Sequence, residues 1–166
     1  MKKTIKTILL AMLTIVCLSS VEIKAQNATK RKEIGEKYFG SFFNAKSPEI
    51  GGALVDKLVA DDFVDYAPFF GNTPDKAGFK KTVASINAAF EEKYVVDKVI
   101  IEKDIYVAIW HSDAKHIGEF MGVPATNKEF RVTGITIYKI VNGKIKAHWE
   151  QFDVLTLLQA IGVVKM

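Results

Sequence analysis

Thr133-Gly134-Ile135-Thr136-Ile137-Tyr138-Lys139-Ile140-Val141-Asn142-Gly143-Lys144-Ile145-Lys146-Ala147-His148-Trp149-Glu150-Gln151-Phe152 reads as two strands joined by a tight turn. Asn142-Gly143 is the pair best able to take the positive φ of a two-residue hairpin loop. Its flanks are rich in Ile, Val, Thr, Tyr and Trp, which fit a pleated, half-buried surface. Period-two alternation places Ile145, Ala147, Trp149 and Gln151 on one face of the second strand, with Lys146, His148, Glu150 and Phe152 on the other. In the first strand Gly134, Thr136, Tyr138 and Ile140 oppose Thr133, Ile135, Ile137 and Lys139. Apolar residues on both faces imply that both are covered, one by helices and the other by a second subunit.

Upstream, Tyr94 to Glu102 and Ile105 to His116 have the same composition and are separated by Lys103-Asp104, a further turn signal. Downstream, Val154 to Ile161 reads as a short helix closed by Gly162. Before Tyr94 the pattern is mostly helical. Ile34, Tyr38, Phe39, Phe42 and Phe43 form an apolar stripe within Asn27 to Asn44, and Pro48 opens a shorter helix through Val59 that Gly51-Gly52 weakens. A short strand, Asp61 to Ala67, ends at Pro68, and a loop runs from Phe69 to Pro74. Asp75 then caps a third helix, Lys76 to Glu91, through Phe79, Val83, Ile86 and Phe90. Three helices followed by antiparallel strands predict an α+β domain whose helices cover one face of a curved sheet.

The full chain has 166 residues, a formal net charge of +4, 49% hydrophobic residues, four Pro and one Cys. This composition excludes disorder, collagen-like repeats and a disulfide scaffold. Residues 1–25 carry Lys2, Lys3 and Lys6, an apolar run from Ile8 to Leu18, and Ala25 before Gln26, the pattern of a secretory signal peptide. Without that segment 19 basic and 18 acidic side chains remain, a net charge of +1, so nucleic acid is not expected as a partner. The mature chain, 26–166, is then one domain, exported to the periplasm or the exterior, and it contains no Cys. Membrane attachment is expected only if Cys17 is lipidated, because Ile15-Val16-Cys17 faintly matches a lipobox.

No P-loop, dinucleotide fingerprint, nucleophile elbow or zinc-ligand spacing is present. The chemistry must therefore come from polar residues set into apolar strands. His148 and Glu150 share a face, and burial disfavours a charged carboxylate, which makes Glu150 a candidate general acid or base. Asp65 and Tyr66 form a second polar element before Pro68. His111, Asp113 and His116 lie near one strand end, but their spacing matches no standard metal-ligand pattern.

Several longer strings are shared with a known family. Asp104-Ile105-Tyr106-Val107-Ala108-Ile109-Trp110, His116-Ile117-Gly118-Glu119-Phe120-Met121-Gly122-Val123-Pro124-Ala125-Thr126, Gly143-Lys144-Ile145-Lys146-Ala147-His148-Trp149 and Leu157-Leu158-Gln159-Ala160-Ile161-Gly162 closely resemble the SnoaL-like polyketide cyclases, also called ester cyclases. Ala60-Asp61-Asp62-Phe63-Val64-Asp65 resembles the same family's first strand. The resemblance implies the cone-shaped α+β fold of ketosteroid isomerases, scytalone dehydratases and nuclear-transport-factor-like proteins, with an apolar pocket under the helices. It also implies cofactor-free acid/base catalysis, such as aldol ring closure, on a hydrophobic carbonyl-bearing small molecule. The family's pocket carboxylate falls on Glu150, its pocket Asn on Asp65 and its pocket His on Thr136. Glu150, Asp65 and His148 are thus the expected catalytic residues. Tyr66, Thr136, Tyr138, Trp110 and His116 are the expected substrate contacts, and neither a metal nor another cofactor is implied. The polar positions that have changed leave a non-catalytic binding or structural module as the alternative, because fold survives such changes better than a particular reaction does.

Overall fold

In the computed structural model, residues 29–69 and 71–165 are described. The expected leader, residues 1–25 with Cys17, lies outside the described residues. From Ile34 onward the chain forms one compact unit. A π-helical segment, Glu36–Gly40, runs into the helical turn Ser41–Phe43, and the two together are α1. Then follow α2 (Pro48–Leu58), β1 (Val59–Asp65), α3 (Lys76–Ala89), β2 (Phe90–Glu102), β3 (Ile105–His116), β4 (Glu129–Val141), β5 (Lys144–Phe152) and α4 (Val154–Ile161). Among the described residues no helix is long and apolar enough to cross a membrane.

The five strands form a single curved, unclosed sheet in the order β1-β5-β4-β3-β2. β2 through β5 pair antiparallel, and β1 returns parallel to β5. Hydrogen-bonding side chains start the helices: Ser47 caps α2, Asp75 caps α3 and Asp153 caps α4. Asp75 Oδ1 accepts from the Gly78 N–H at 2.8 Å, giving the expected start of α3. α2 runs unbroken through Gly51 and Gly52. A Cβ at Gly51 would lie 2.2 Å from Asn87 Oδ1 and 2.8 Å from Val83 Cγ1, so the missing side chain lets α2 and α3 approach closely.

The structure departs from the sequence expectation in three places; in the first, β1 starts at Val59 and ends at Asp65 where a strand from Asp61 to Ala67 is expected. α3 ends at Ala89, and Phe90 enters β2 directly with extended φ and ψ of −130° and 137°, so Glu91 and Glu92 belong to a strand. The apolar stripe ending at Phe90 suits a helix and a strand equally, and no turn residue separates the two elements. The third departure is a bulge in β5. Lys139 pairs with Ala147 and Ile140 with Ile145, leaving Lys146 as the extra residue. Ile145, fully buried, therefore shares the inner face with His148, whereas simple alternation had placed it beside Trp149. A further register shift near Asp97 in β2 adds to the curl of the sheet.

The core fills the concave side. Phe39 stacks on Tyr138 with centroids 4.7 Å apart, Phe42 meets Phe79 edge-on at 5.5 Å, and Tyr94 stacks on Trp110 at 4.7 Å. Asn44, just beyond α1, donates to the Tyr94 carbonyl at 2.9 Å and accepts from its N–H at 2.8 Å, tying the helical layer to β2.

Candidate active site

The register places polar residues side by side on the inner face. Tyr138 lies opposite His148 and Thr136 opposite Glu150 across β4 and β5, while β1 brings Asp65 beside His148. The Asp65 and His148 side chains are only 3% and 4% exposed, and they meet at 2.9 Å between Oδ1 and Nδ1. Asp65 Oδ1 also accepts from the Ala67 N–H at 2.9 Å. Because an ionised carboxylate only accepts, this network assigns the proton to His148 Nδ1. Phe79 and Tyr138 pack on the imidazole, each with its ring centroid 5.3 Å away, and hold its orientation.

His148 Nε2 lies 3.9 Å from Glu150 Oε2, too far for a formed hydrogen bond but close enough for charge to be felt. The other Glu150 oxygen is fixed by a directed chain. Trp110 Nε1 donates to Thr136 Oγ1 at 2.8 Å, and Thr136 Oγ1 lies 2.7 Å from Glu150 Oε1. An indole N–H can only donate, so the single Thr136 proton is left for Glu150. The result is a carboxylate held as an acceptor at Oε1, with Oε2 facing the imidazole.

In front of Glu150 lies a cavity of about 60 Å³, walled by apolar side chains including Phe43, Phe69, Ile86, Phe130 and Leu157. Of the residues expected from the sequence, Glu150 and Trp110 line it. Asp65, His148, Thr136 and Tyr138 stand behind them, buried. Burial first, and then the Glu150 charge, hold the Tyr138 phenol well above its usual range. Tyr66 is placed elsewhere: it is 60% exposed and stacks on Trp149, with centroids 4.8 Å apart and planes 2° from parallel. His116 is fully buried beside Phe90, with Nδ1 3.1 Å from Thr126 Oγ1, and it does not line the cavity. Burial pushes its imidazole pKa down. The His111, Asp113 and His116 trio is not brought together. His111 pairs with Asp97 at 2.9 Å and Asp113 with Arg131 at 2.6 Å, while His116 faces inward. Among the described residues no group of three or more His, Cys, Asp and Glu is arranged to hold a metal.

Sequence reasoning missed Glu92, Ser112 and the function of Gly134. Glu92 and Ser112 line the same cavity as Glu150. Burial, and then the charge of Glu150, push the Glu92 carboxyl up to about 8 from 4.5, with the Ser112 hydroxyl pulling the other way. The alternation Phe90, Glu92, Tyr94 carried the signal, but it was absorbed into the end of a helix.

The model of the SnoaL-like polyketide cyclase family matches residues 40–161. The chain belongs to that family. Among proteins of known activity, this SnoaL-like chain is 25% identical over 114 residues to the nogalonic acid methyl ester cyclase of Streptomyces nogalater, covering 65% of this chain and 83% of that one. Among solved structures it resembles TsrD from Streptomyces laurentii, with TM-score 0.62 and 22% identity over 74% of this chain and 91% of the other. It also resembles AclR, a proposed hydroxylase from Streptomyces galilaeus, with TM-score 0.64 and 24% identity over 75% and 92% of the two chains. At these identities the structural likeness speaks for the fold, which is that of a small-molecule enzyme family.

Proposed function

We propose that this SnoaL-like protein is a cofactor-free acid/base catalyst acting, after export, on a hydrophobic small molecule that carries carbonyl groups, by aldol-type ring closure or a related isomerisation. The observation that carries this reading is the Glu150 carboxylate, fixed at the cavity wall by the Trp110–Thr136 chain and backed by the Asp65–His148 pair. Glu150 takes the proton from the carbon α to a carbonyl, and the electron pair of that C–H bond becomes an enolate. The enolate carbon attacks a second carbonyl of the same molecule, forming the C–C bond and an alkoxide, and Glu150 returns its proton to the alkoxide oxygen. His148, held by Asp65, acts through Glu150 as a positioning residue. Nearby low-dielectric walls strengthen each of these interactions. The name of the Streptomyces nogalater relative, a methyl ester cyclase, supports an ester as substrate. The cavity admits only the reacting end of such a molecule, so the remainder extends through its mouth.

We also read the outer sheet face, where Ile100, Ile109 and Ile135 are 39–46% exposed, as the contact between two copies of the chain.

The catalytic reading is tested by following deuterium uptake at the α carbon of nogalonic acid methyl ester, and of simpler aryl β-keto esters, in D2O. The wild type is expected to exchange rapidly, and Glu150→Gln about 10²–10⁴-fold more slowly. Equal rates in both proteins would remove the catalytic reading and leave the non-catalytic binding module.

A further inference from the structure

The cavity has a carboxyl group from each side of the sheet. Glu150 comes from β5 and Glu92 from β2, with β4 and β3 between them. Glu92 is half-buried and faces the cavity with Tyr94 and Ser112, which lie opposite each other across β2 and β3. The Ser112 hydroxyl is 1% exposed and its Oγ has no formed hydrogen bond, although it lies near enough to act on Glu92. A buried hydroxyl without a well-formed hydrogen bond is unfavourable, so a polar atom arriving in the cavity can satisfy it.

We propose that Glu92 and Ser112 form a second polar subsite, which holds a carbonyl oxygen of an otherwise apolar ligand, with the Glu92 carboxyl group as the hydrogen-bond donor. The proposal rests on the preceding functional reading only in taking this cavity as the ligand site. It gives a role to a carboxyl group set in an apolar cavity: burial and the Glu150 charge both favour the protonated form, and Ser112 opposes them. The ionisable groups facing Glu92 are Glu150 from β5 and Tyr94 from its own strand. On the opposite side it borders a polar cleft with Glu91, Lys93, Asp113, Lys115 and Glu129, which gives its proton a route to solvent. A protonated donor selects a neutral oxygen acceptor, so ketones and esters are favoured over hydrocarbons of the same shape.

The test is a 13C NMR titration of the glutamate side-chain carboxyls of the protein, with Glu92 assigned by loss of its signal in Glu92→Gln. The probe is 1-tetralone, an apolar bicycle bearing one carbonyl, and tetralin is its counterpart without oxygen. Free Glu92 is expected to titrate near pH 8. 1-Tetralone at about ten times its dissociation constant should raise that midpoint by about one unit, because only the protonated form holds it. Tetralin should leave the midpoint in place. In Glu92→Gln, whose amide still donates, 1-tetralone affinity should lose its pH dependence. A Glu92 midpoint in the ordinary carboxylate range, no shift with 1-tetralone, or an equal shift with tetralin overturns the proposal. None of these readings depends on turnover. A chain that binds 1-tetralone through Glu92 but shows no Glu150-dependent exchange keeps the subsite and loses the catalytic function.

Discussion

A methyl group at position 134 would sit 2.4 Å from Cζ2 of Trp110 and 2.7 Å from Cε2, so the indole lies flat on β4 only because Gly134 has no side chain. That placement brings Nε1 to Thr136 and, through it, fixes Glu150. Gly134→Ala should therefore act at a distance. The displaced indole would leave Thr136 without its donor and free its hydroxyl to turn from Glu150. Overpacking of this kind costs about 1–3 kcal/mol, read as a lower midpoint in urea denaturation, with changed Trp fluorescence. Exchange at the substrate α carbon should fall as well, although Gly134 touches no substrate. Unchanged fluorescence and stability would show that the indole does not depend on this contact. Gly134 carries no such signal in the sequence, because the ring it accommodates is contributed by another strand, 24 positions earlier.

At the level of elements, the hairpin at Asn142-Gly143, the Asp75 cap and the order of helices before strands were all legible, since each rests on short-range chemistry. Asn142 and Gly143 do take positive φ, 51° and 75°. The bulges were not legible. A bulge inserts one residue with no compositional mark, and here it moved Ile145 to the other face. The direct passage from α3 into β2 was equally hidden, and with it the position of Glu92 in the cavity. The parallel return of β1 to β5 depends on tertiary pairing and has no local signal. The outer face of the sheet carries its own prediction. Ile135 and Ile109 lie opposite each other across β4 and β3, both exposed. Ile135→Lys should shift sedimentation from dimer to monomer while leaving the fold intact, because it sets a charge in the centre of the apolar patch. A wild-type chain that sediments as a monomer at about 100 μM removes the dimer.

For the molecule as a whole, the buried His116 and the half-buried Glu92 make stability depend on pH with opposite signs. Burial holds the folded-state pKa of His116 below 6.5, so the unfolded chain binds the proton more readily and stability is lost as pH falls below 6.5. Glu92 runs the other way. Its folded pKa of about 8 lies above 4.5, so its contribution is complete below 4.5 and is lost as pH rises through 8. Between about pH 7.5 and 8 the Glu92 slope outweighs the fading His116 one, and the melting temperature should decline there. Calorimetry of Glu92→Gln should show that limb flattened; a decline that persists in this variant must come from another group.

Asp65 and His148 are 83 residues apart in the chain, and their meeting depends on β1 docking beside β5. Closing so long a loop is slow and entropically costly compared with forming the β4–β5 hairpin. The order of events during folding is therefore written into the site. Thr136 and Glu150 meet as soon as the hairpin zips, whereas the imidazole gains its carboxylate only when the last edge strand arrives. A chain that lacks the β1–β5 pairing has an incomplete site by construction, so the Asp65–His148 contact reports on the docking of that edge strand.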